Sequence, residues 1–361
     1  MTANPEASSP ATPVSLSAAV ERAPSSPGNA RLRMGLVGTG RMGIAYARYL
    51  ATRVPGATLY AVSDVRREAA EAARDEFGAA MAYVDFHDLV NDPAVDAVVV
   101  MTPTKLHKDV VVAAARAGKP IFCEKPLSLG LADAQAMQEA VASSGVFFQL
   151  GFMRRFDAGY AAAKQKIEAG AIGKPCVFKS TSKDKERPSV DYLRPENSGG
   201  LFIDMGIHDF DLARWFMGDV ASVYSTGGVL AYPEMNGIGD WDNAITNLRF
   251  ANGCIGVVTL SRNGVYGYGI HTEILGTEGT IQIGYDRETP ILVMKNGSIA
   301  HDTVPGFYER FENAYIVQLQ DFVQNLKRGL PPPITVADGI AAQRIALAAT
   351  ESAQTNRVVE L

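Results

Sequence analysis

Cysteine is scarce in this sequence, which contains only three cysteines among 361 residues. Cys123, Cys176 and Cys254 stand far apart and form no CxxC pair, so they supply neither a disulfide framework nor a zinc site. Isolated thiols of this kind are typical of a reducing cytosol, and we therefore predict a cytoplasmic protein. Cys123 lies in an apolar run and is interpreted as a small buried hydrophobic residue.

Long apolar runs and an excess of positive charge are also missing. No apolar run reaches about 18 residues, so we expect no membrane-spanning helix. The formal net charge is -5, from 34 basic and 39 acidic residues. This balance argues against nucleic acid or an anionic membrane as the main partner.

The start of the chain lacks the basic segment and the apolar core of a signal peptide. It is rich in Ala, Ser and Pro, a composition that buries too little apolar surface to fold. Residues 1–32 are therefore predicted to be a disordered tail. The remaining length suits two domains, because domains usually hold about 100–200 residues.

From Arg33 onward, apolar strands alternate with helices, and glycines such as Gly78 and Gly118 follow the helical segments. The strand segments are RMGLVG, TLYAVSD, VDAVVVMTP, PIFCEKP and VFFQLGF. Apolar strands without interruption, separated by helices, predict a parallel sheet that is covered on both faces. We assign residues 33–150 to this α/β domain.

Strands dominate the second half, residues 151–361, which is predicted to contain a largely antiparallel sheet. Asn252-Gly253 and Asn296-Gly297 separate strand segments, as is typical of tight hairpin turns. A helix is predicted over 199–218, and two more are predicted near 308–328 and 336–355.

Gly38, Gly40 and Gly43 have the GxGxxG spacing of a dinucleotide-binding loop. The pattern is weak alone, but here it follows the first strand and opens the first helix. Asp64 ends the second strand, where a carboxylate that binds ribose belongs. The alternative is a glycine-rich turn without a ligand.

Asp64 favours NAD over NADP, because a carboxylate accepts hydrogen bonds from the ribose 2′-hydroxyl and repels a 2′-phosphate. Arg66 and Arg67 follow Asp64, and their positive charges would suit the 2′-phosphate of NADP instead. A solvated helix start is the simpler interpretation of these two arginines.

Lys125 stands at the end of an apolar strand, in the segment KPIFCEKPLS. Ligands of open parallel sheets bind outside the carboxyl ends of the strands, so Lys125 is expected to project into the cofactor crevice. Pro126 restricts the backbone on both sides, and a fixed ammonium group stabilises a developing alkoxide. Glu124 is expected either to pair with a cation or to bind cofactor. A surface lysine at a strand end is the alternative.

Asp204, His208 and Asp211 are spaced i, i+4 and i+7, which places them on one face of the predicted helix. A histidine accepts a hydroxyl proton near neutral pH, and a neighbouring carboxylate stabilises the resulting imidazolium. The alternatives are a structural histidine or a metal ligand. We predict no metal site, because Asp209 points to another face and hydride transfer to NAD needs none.

Several of these motifs together resemble the Gfo/Idh/MocA family of NAD(P)-dependent sugar and polyol dehydrogenases. The shared motifs are GLVGTGRMG, TPTKLH, EKPLS and GGLFIDMGIHDFD, while GFMRRFDAGY and SRNGVYGYGIHTEILGTEGTIQIG resemble the inositol dehydrogenase branch. The likeness covers almost everything after the tail. It implies a Rossmann domain followed by an α/β domain with an open mixed sheet, a C-terminal helix that packs back near the first domain, and a homotetramer.

The resemblance also implies roles for particular residues. Lys125, Asp204 and His208 match the catalytic residues, Arg154 a substrate-side arginine, and Tyr266 or Tyr268 a substrate-side tyrosine. The branch often has Asp-Gln-Arg after the second tyrosine, where this chain has Gly269-Ile270-His271. A cis Lys125–Pro126 bond is implied as well. The expected cofactor-binding residues are Gly38, Gly40, Arg41, Met42, Gly43, Asp64, Thr102, Pro103, His107, Glu124 and Lys125. The expected substrate-binding residues are Lys125, Arg154, Asp204, His208, Tyr266 and Tyr268.

The predicted function is NAD-dependent oxidation of a ring secondary hydroxyl in a cyclic polyol, with myo- or scyllo-inositol as the first candidates. His208 is expected to accept the hydroxyl proton, Lys125 to donate to the same oxygen, and Asp204 to orient His208; a rival assignment makes Lys125 the base. The alternatives are a pyranose or aldose dehydrogenase and a non-catalytic regulator that binds a dinucleotide.

Overall fold

A computed structural model of the protein describes residues 31–361. The predicted disordered tail lies outside the described residues except for its last two positions, and the second of these, Leu32, already begins a strand. Within the described range, no helix has both the length and the apolar character that a membrane crossing requires.

The first sheet has six strands in the order β3-β2-β1-β4-β5-β6, and every pairing in it is parallel. Its central strands are buried on both faces, which explains their uninterrupted apolar sequence. The predicted parallel sheet is thus confirmed. The strands are β1 (Leu32–Val37), β2 (Ala57–Ser63), β3 (Met81–Tyr83), β4 (Ala97–Val100), β5 (Ile121–Glu124) and β6 (Phe148–Gly151).

Five helices connect these strands: α1 (Arg41–Thr52), α2 (Arg67–Phe77), α3 (Phe86–Asn91), α4 (His107–Arg116) and α5 (Leu131–Ser144). A 3-10 turn, Thr104–Leu106, precedes α4. Gly78 ends α2 with a φ of 69°, in the left-handed conformation that glycine tolerates. Sequence analysis missed β3 and α3, which are too short to show a clear hydrophobic period.

The second sheet has seven strands in the order β12-β11-β7-β10-β9-β8-β15, in which only β7 and β10 pair in parallel. This agrees with the predicted largely antiparallel mixed sheet. Gly253 and Gly297 occupy the two predicted hairpin turns, with φ values of 87° and 73°. The strands are β7 (Pro175–Lys183), β8 (Val220–Gly228), β9 (Asn243–Phe250), β10 (Ile255–Ser261), β11 (Gly269–Gly276), β12 (Thr280–Ile283) and β15 (Val359–Glu360), and a separate hairpin has β13 (Val293–Lys295) and β14 (Ser298–Ala300).

The helices of the second half include a pair where a single helix over 199–218 was predicted, so that prediction was wrong. The chain turns at Gly206, where a Cβ would lie 2.8 Å from the carbonyl oxygen of Phe202. Asp204 therefore ends one helix, and His208 lies in the first turn of the next. The helices are α6 (Ala158–Glu168), α7 (Val190–Leu193), α8 (Pro195–Ser198), α9 (Gly200–Asp204), α10 (Ile207–Met217), α11 (Phe307–Arg328) and α12 (Val336–Thr355), with 3-10 turns at Met153–Phe156 and Pro233–Ile238.

The last helix contacts residues of the first half of the chain. Gln343 in α12 donates to the carbonyl oxygen of Ser128 at 3.0 Å, and the amide of Leu150 in β6 donates to the carbonyl of Ile334 at 3.1 Å. The division of the chain into domains at residues 150 and 151 stays a prediction, and β6 extends one residue past it.

Candidate active site

The glycine-rich loop after β1 leaves open space at the start of α1. Gly38 has a φ of 98°, and a Cβ there would lie 2.7 Å from the carbonyl oxygen of Met101. A Cβ on Gly43 would overlap the carbonyl of Gly38, so this glycine allows α1 to pack closely on the loop. Around Gly40, by contrast, no atom lies within 4 Å of the Cβ position. This opening at a helix N-terminus suits a phosphate group.

Asp64 is held firmly at the end of β2. Its Oδ2 accepts from the amide of Thr39 at 3.0 Å and from the Thr39 hydroxyl at 2.7 Å, while its Oδ1 accepts from the amide of Arg66 at 3.0 Å. Burial alone would raise the pKa of Asp64, but these hydrogen bonds outweigh it and lower the pKa. Asp64 is therefore an ionised acceptor, and the Arg66 side chain leans toward it at 3.4 Å.

The other predicted cofactor residues lie after β4 and at the start of α1. Thr102 follows β4 by two residues, and its Oγ1 is buried without a hydrogen-bond partner. His107 is buried, and its ring nitrogens lie 2.9 Å from the carbonyl of Pro126 and 3.0 Å from that of Thr102. His107 thus links the loops after β4 and β5, and its contact with a cofactor stays a prediction. Arg41, Met42 and Pro103 occupy the starts of α1 and of the Thr104–Leu106 turn.

Glu124 is buried, and its side chain accepts hydrogen bonds instead of forming either the predicted ion pair or a contact that the structure can assign to cofactor. Its Oε2 accepts from the amide of Lys125 at 2.8 Å, and its Oε1 accepts from the hydroxyl of Tyr46. Burial raises the pKa of Glu124, and the hydrogen bond from Tyr46 opposes this rise. Glu124 therefore fixes the backbone from which the Lys125 side chain projects. The Lys125–Pro126 bond is cis, as the resemblance implies.

Lys125 contacts Asp204 directly. Lys125 Nζ donates to the backbone carbonyl of Asp204 at 3.0 Å. The Asp204 carboxylate accepts from the hydroxyl of Tyr192 at 2.9 Å and from Arg262 at 3.0 Å. Burial alone would raise the pKa of Asp204, but the charges of Arg262 and Lys125 outweigh it and hold the pKa below its ordinary value. Asp204 is thus ionised, and its side-chain hydrogen bonds go to Tyr192 and Arg262 rather than to His208.

His208 is buried beside Phe152, whose ring lies edge-on with its centroid 6.4 Å away. Its Nδ1 is buried and has no hydrogen-bond partner. Burial, followed by the positive charges of Lys125 and Arg154, lowers the pKa of His208 well below its ordinary value. The imidazole is therefore neutral, which is the form required of a proton acceptor. Among residues 31–361, no three His, Cys, Asp or Glu side chains converge as metal ligands.

Arg154 is buried in an ion pair with Asp209, at 3.0 Å between NH1 and Oδ1. Burial lowers the pKa of Arg154, but the charge of Asp209 and the smaller contribution of the nearby, buried Tyr268 outweigh it and raise the pKa. Tyr266 is half exposed and lies under Lys183. Of the two predicted tyrosines, the structure therefore brings Tyr268 to the Arg154 cluster. Asp211, which was placed on the face of His208, instead pairs with Arg155 at 2.6 Å.

Sequence reasoning missed the two residues that hold the Asp204 carboxylate. Arg262 continues the alternation of β10, in which Val258 and Leu260 point inward, so the period of two contained a signal for a buried arginine. Tyr192 lies in the short helix α7, within a segment whose sequence showed no regular pattern, so its partner was not predicted.

One oxidoreductase family matches both halves of the chain. The NAD-binding Rossmann fold of the Gfo/Idh/MocA oxidoreductase family matches residues 32–152. The C-terminal alpha/beta domain of the same family matches residues 164–361.

Relatives of known name span nearly the whole chain. It is 40% identical over 332 residues to scyllo-inositol 2-dehydrogenase (NAD(+)) of Bacillus subtilis (strain 168), covering 92% of this chain and 96% of that protein. It is 41% identical over 332 residues to myo-inositol 2-dehydrogenase of Thermotoga maritima, covering 91% of this chain and 98% of that protein. The crystal structure of scyllo-inositol dehydrogenase from Lactobacillus casei with bound NAD(H) and scyllo-inositol has a TM-score of 0.87 and 33% identity, covering 91% of this chain and 99% of that chain.

Proposed function

The chain belongs to the Gfo/Idh/MocA family of NAD-binding oxidoreductases, and we propose that it oxidises a ring secondary hydroxyl of an inositol to the ketone. The observation that carries the proposal is the cleft in which Lys125, after β5, meets Asp204 and lies near the neutral His208. The proposal assigns Lys125 as the oxygen stabiliser and His208 as the proton acceptor, and it is supported by the position of Lys125 at the carboxyl end of a parallel strand, where ligands of such sheets bind.

NAD fits the residues of the first sheet. The opening around Gly40 leaves room for the pyrophosphate, Asp64 offers an ionised acceptor for the ribose, and Thr102 Oγ1 is a buried group that lacks a partner. When NAD is bound, its nicotinamide ring supplies the hydride acceptor of the reaction. Asp64 disfavours NADP, because its carboxylate would repel the 2′-phosphate.

His208 accepts the proton of the substrate hydroxyl in the proposed reaction. Because Nδ1 is buried, Nε2 is the ring nitrogen that receives it. Lys125 has three N–H donors and uses one on the backbone of Asp204, so it retains donors for the substrate oxygen. Asp204 offers the remaining lone pairs of its carboxylate to the ring hydroxyls of the substrate. Arg154 and Tyr268 form the buried polar wall of the substrate pocket.

A substrate panel tests this assignment. Inositol isomers, pyranoses and aldoses are incubated with NAD, and the initial rates are followed by NADH absorbance. We expect the highest kcat/KM with myo- or scyllo-inositol. Preference for an aldose would make the protein a sugar dehydrogenase. Turnover of no compound, together with retained NAD binding, would favour a regulator that binds a dinucleotide.

We also propose a cytoplasmic homotetramer. The second sheet exposes apolar residues on the face opposite its helices, including Ile245, Ile255 and Leu275. Such a face favours association between subunits. The free thiols of the three cysteines suit a reducing compartment. Light scattering at micromolar concentration should give four times the mass of the chain, and a monomer would contradict this proposal.

A further inference from the structure

Arg262 is a fully buried arginine beside the catalytic residues, directly after β10. One of its amino groups, NH2, donates to Asp204 Oδ2 at 3.0 Å, and NH1 lies 3.8 Å from the carboxylate of Asp184. Its Nε and NH1 form no hydrogen bond. Because a buried charge with unmade hydrogen bonds is costly, a role beyond packing is expected of this side chain.

Tyr192 in α7 holds the other oxygen of the same carboxylate. Its hydroxyl donates to Asp204 Oδ1 at 2.9 Å, although the residue is 44% exposed. The negative charge of Asp204, together with burial of the hydroxyl, raises the pKa of Tyr192. The tyrosine therefore remains a hydrogen-bond donor at neutral pH. Arg262 and Tyr192 thus each donate a hydrogen bond to a different oxygen of the Asp204 carboxylate.

Building on the proposed function, we propose that Arg262 and Tyr192 are positioning residues of the oxidation, which fix the Asp204 carboxylate and keep it ionised. Neither residue forms a hydrogen bond with Lys125 or His208, so each acts through Asp204. The substrate hydroxyls then meet an acceptor of constant position and charge.

The charges around Asp204 explain why Arg262 is needed. Burial favours the neutral acid, and the largest opposing contribution comes from Arg262, followed by Lys125. Asp184 and Asp240 lie close to Asp204, and burial raises the pKa of both carboxyl groups. Without Arg262, Asp204 would take up a proton at higher pH and lose acceptor capacity. The titratable or charged groups facing Asp204 are Lys125 after β5, Asp184 after β7, Tyr192 in α7, Asp240 before β9 and Arg262 after β10.

The test compares Arg262→Met, Arg262→Lys and Tyr192→Phe with the parent, using the polyol or sugar that the parent oxidises fastest. Arg310→Lys is the matched control, because Arg310 is also buried with an unpartnered Nε. It pairs with Asp157, whose side chain is 13% exposed, the same fraction as in Asp204. The readouts are kcat, KM, the pH profile of kcat and the melting temperature Tm.

We expect Arg262→Met to lower kcat by about ten- to a hundredfold, the range for a lost hydrogen bond to a charged group. The acid limb of its kcat–pH profile should move to higher pH. Arg262→Lys should show smaller changes in both kcat and the acid limb. Tyr192→Phe should lower kcat by about tenfold at an unchanged Tm, since its ring is half exposed. Arg310→Lys should lower Tm while leaving kcat and the acid limb unchanged.

An active parent whose Arg262→Met and Tyr192→Phe variants keep its kcat and acid limb would overturn the inference and leave the proposed function intact. A parent that oxidises no polyol or sugar would overturn both. If Arg262→Met fails to fold, Arg262→Lys and Tyr192→Phe decide, and parental pH profiles in these two variants refute the inference.

Discussion

Replacement of Gly40 by alanine should weaken NAD binding without weakening the fold. Gly40 has a φ of -69° and a ψ of -170°, which alanine adopts without strain. Apart from Gly40 and its neighbours along the chain, no atom lies within 4 Å of the position that the new Cβ would take. The methyl group would instead occupy the open space at the N-terminus of α1, where the pyrophosphate is expected to approach.

The magnitude follows from the hydrogen bonds that the methyl group would displace. A hydrogen bond to a charged group contributes about 1.5–3 kcal/mol, so the loss of one such bond corresponds to roughly a 10- to 100-fold increase in Kd for NAD. The effect on folding should be close to zero. Alanine is a poorer N-cap than glycine, but it restricts the unfolded chain by about 0.4–1 kcal/mol in compensation.

Gly43→Ala is the contrasting variant, because its Cβ would overlap the Gly38 carbonyl and lie 2.9 Å from the carbonyl carbon. Overpacking of this kind costs about 1–3 kcal/mol, so we expect a lower Tm. Calorimetric titration with NAD and thermal unfolding measure both variants side by side. A parental Kd in Gly40→Ala, or an equal loss of Tm in the two variants, would refute the assignment of the open space to the cofactor.

Three further predictions address catalysis, cofactor choice and pH. His208→Ala should lower kcat by about 10²–10⁴-fold with NAD affinity unchanged, because a positioned general base is lost. If the variant keeps most of its activity and the same acid limb in its kcat–pH profile, Lys125 is the base instead. Asp64→Ser should lower kcat/KM with NAD by about tenfold, because the carboxylate that accepts from the ribose is lost. The value with NADP should not fall, since the carboxylate that repels the 2′-phosphate is gone. An unchanged ratio of kcat/KM with NAD to kcat/KM with NADP would show that Asp64 does not select the cofactor. Burial raises the pKa of Asp184 from 3.8 to about 6, so the unfolded chain releases this proton at lower pH than the folded chain does. The contribution of Asp184 to stability is therefore full below about pH 4 and is lost as the pH rises through about 6. Asp184→Asn should remove this fall from the pH profile of Tm, and a parental profile in the variant would contradict the shift.

Local sequence determined those strands, loops and strand ends whose conformation depends only on residues close by in the chain. The run Ala97–Val100 is buried throughout, and such a run forms a strand wherever helices cover both faces of a sheet. The GxGxxG spacing determined the loop at Gly38, because the loop geometry depends on the absence of Cβ atoms at particular positions. Lys125 and Asp64 were placed at strand ends for the same reason, since parallel strands present their carboxyl ends at one edge.

Only the tertiary structure decided which groups meet inside the cleft. Helical spacing suggested that Asp204 faces His208, but the turn at Gly206 separates their helices. The carboxylate instead binds Arg262, which lies directly after β10 and 58 residues away in the sequence. The choice between Tyr266 and Tyr268 likewise depended on the fold. Tyr268 is buried close to Arg154, whereas Tyr266 is half exposed. Periodicity describes which face of an element is buried, whereas the partner of a buried charge is set by long-range packing and by the need to compensate that charge.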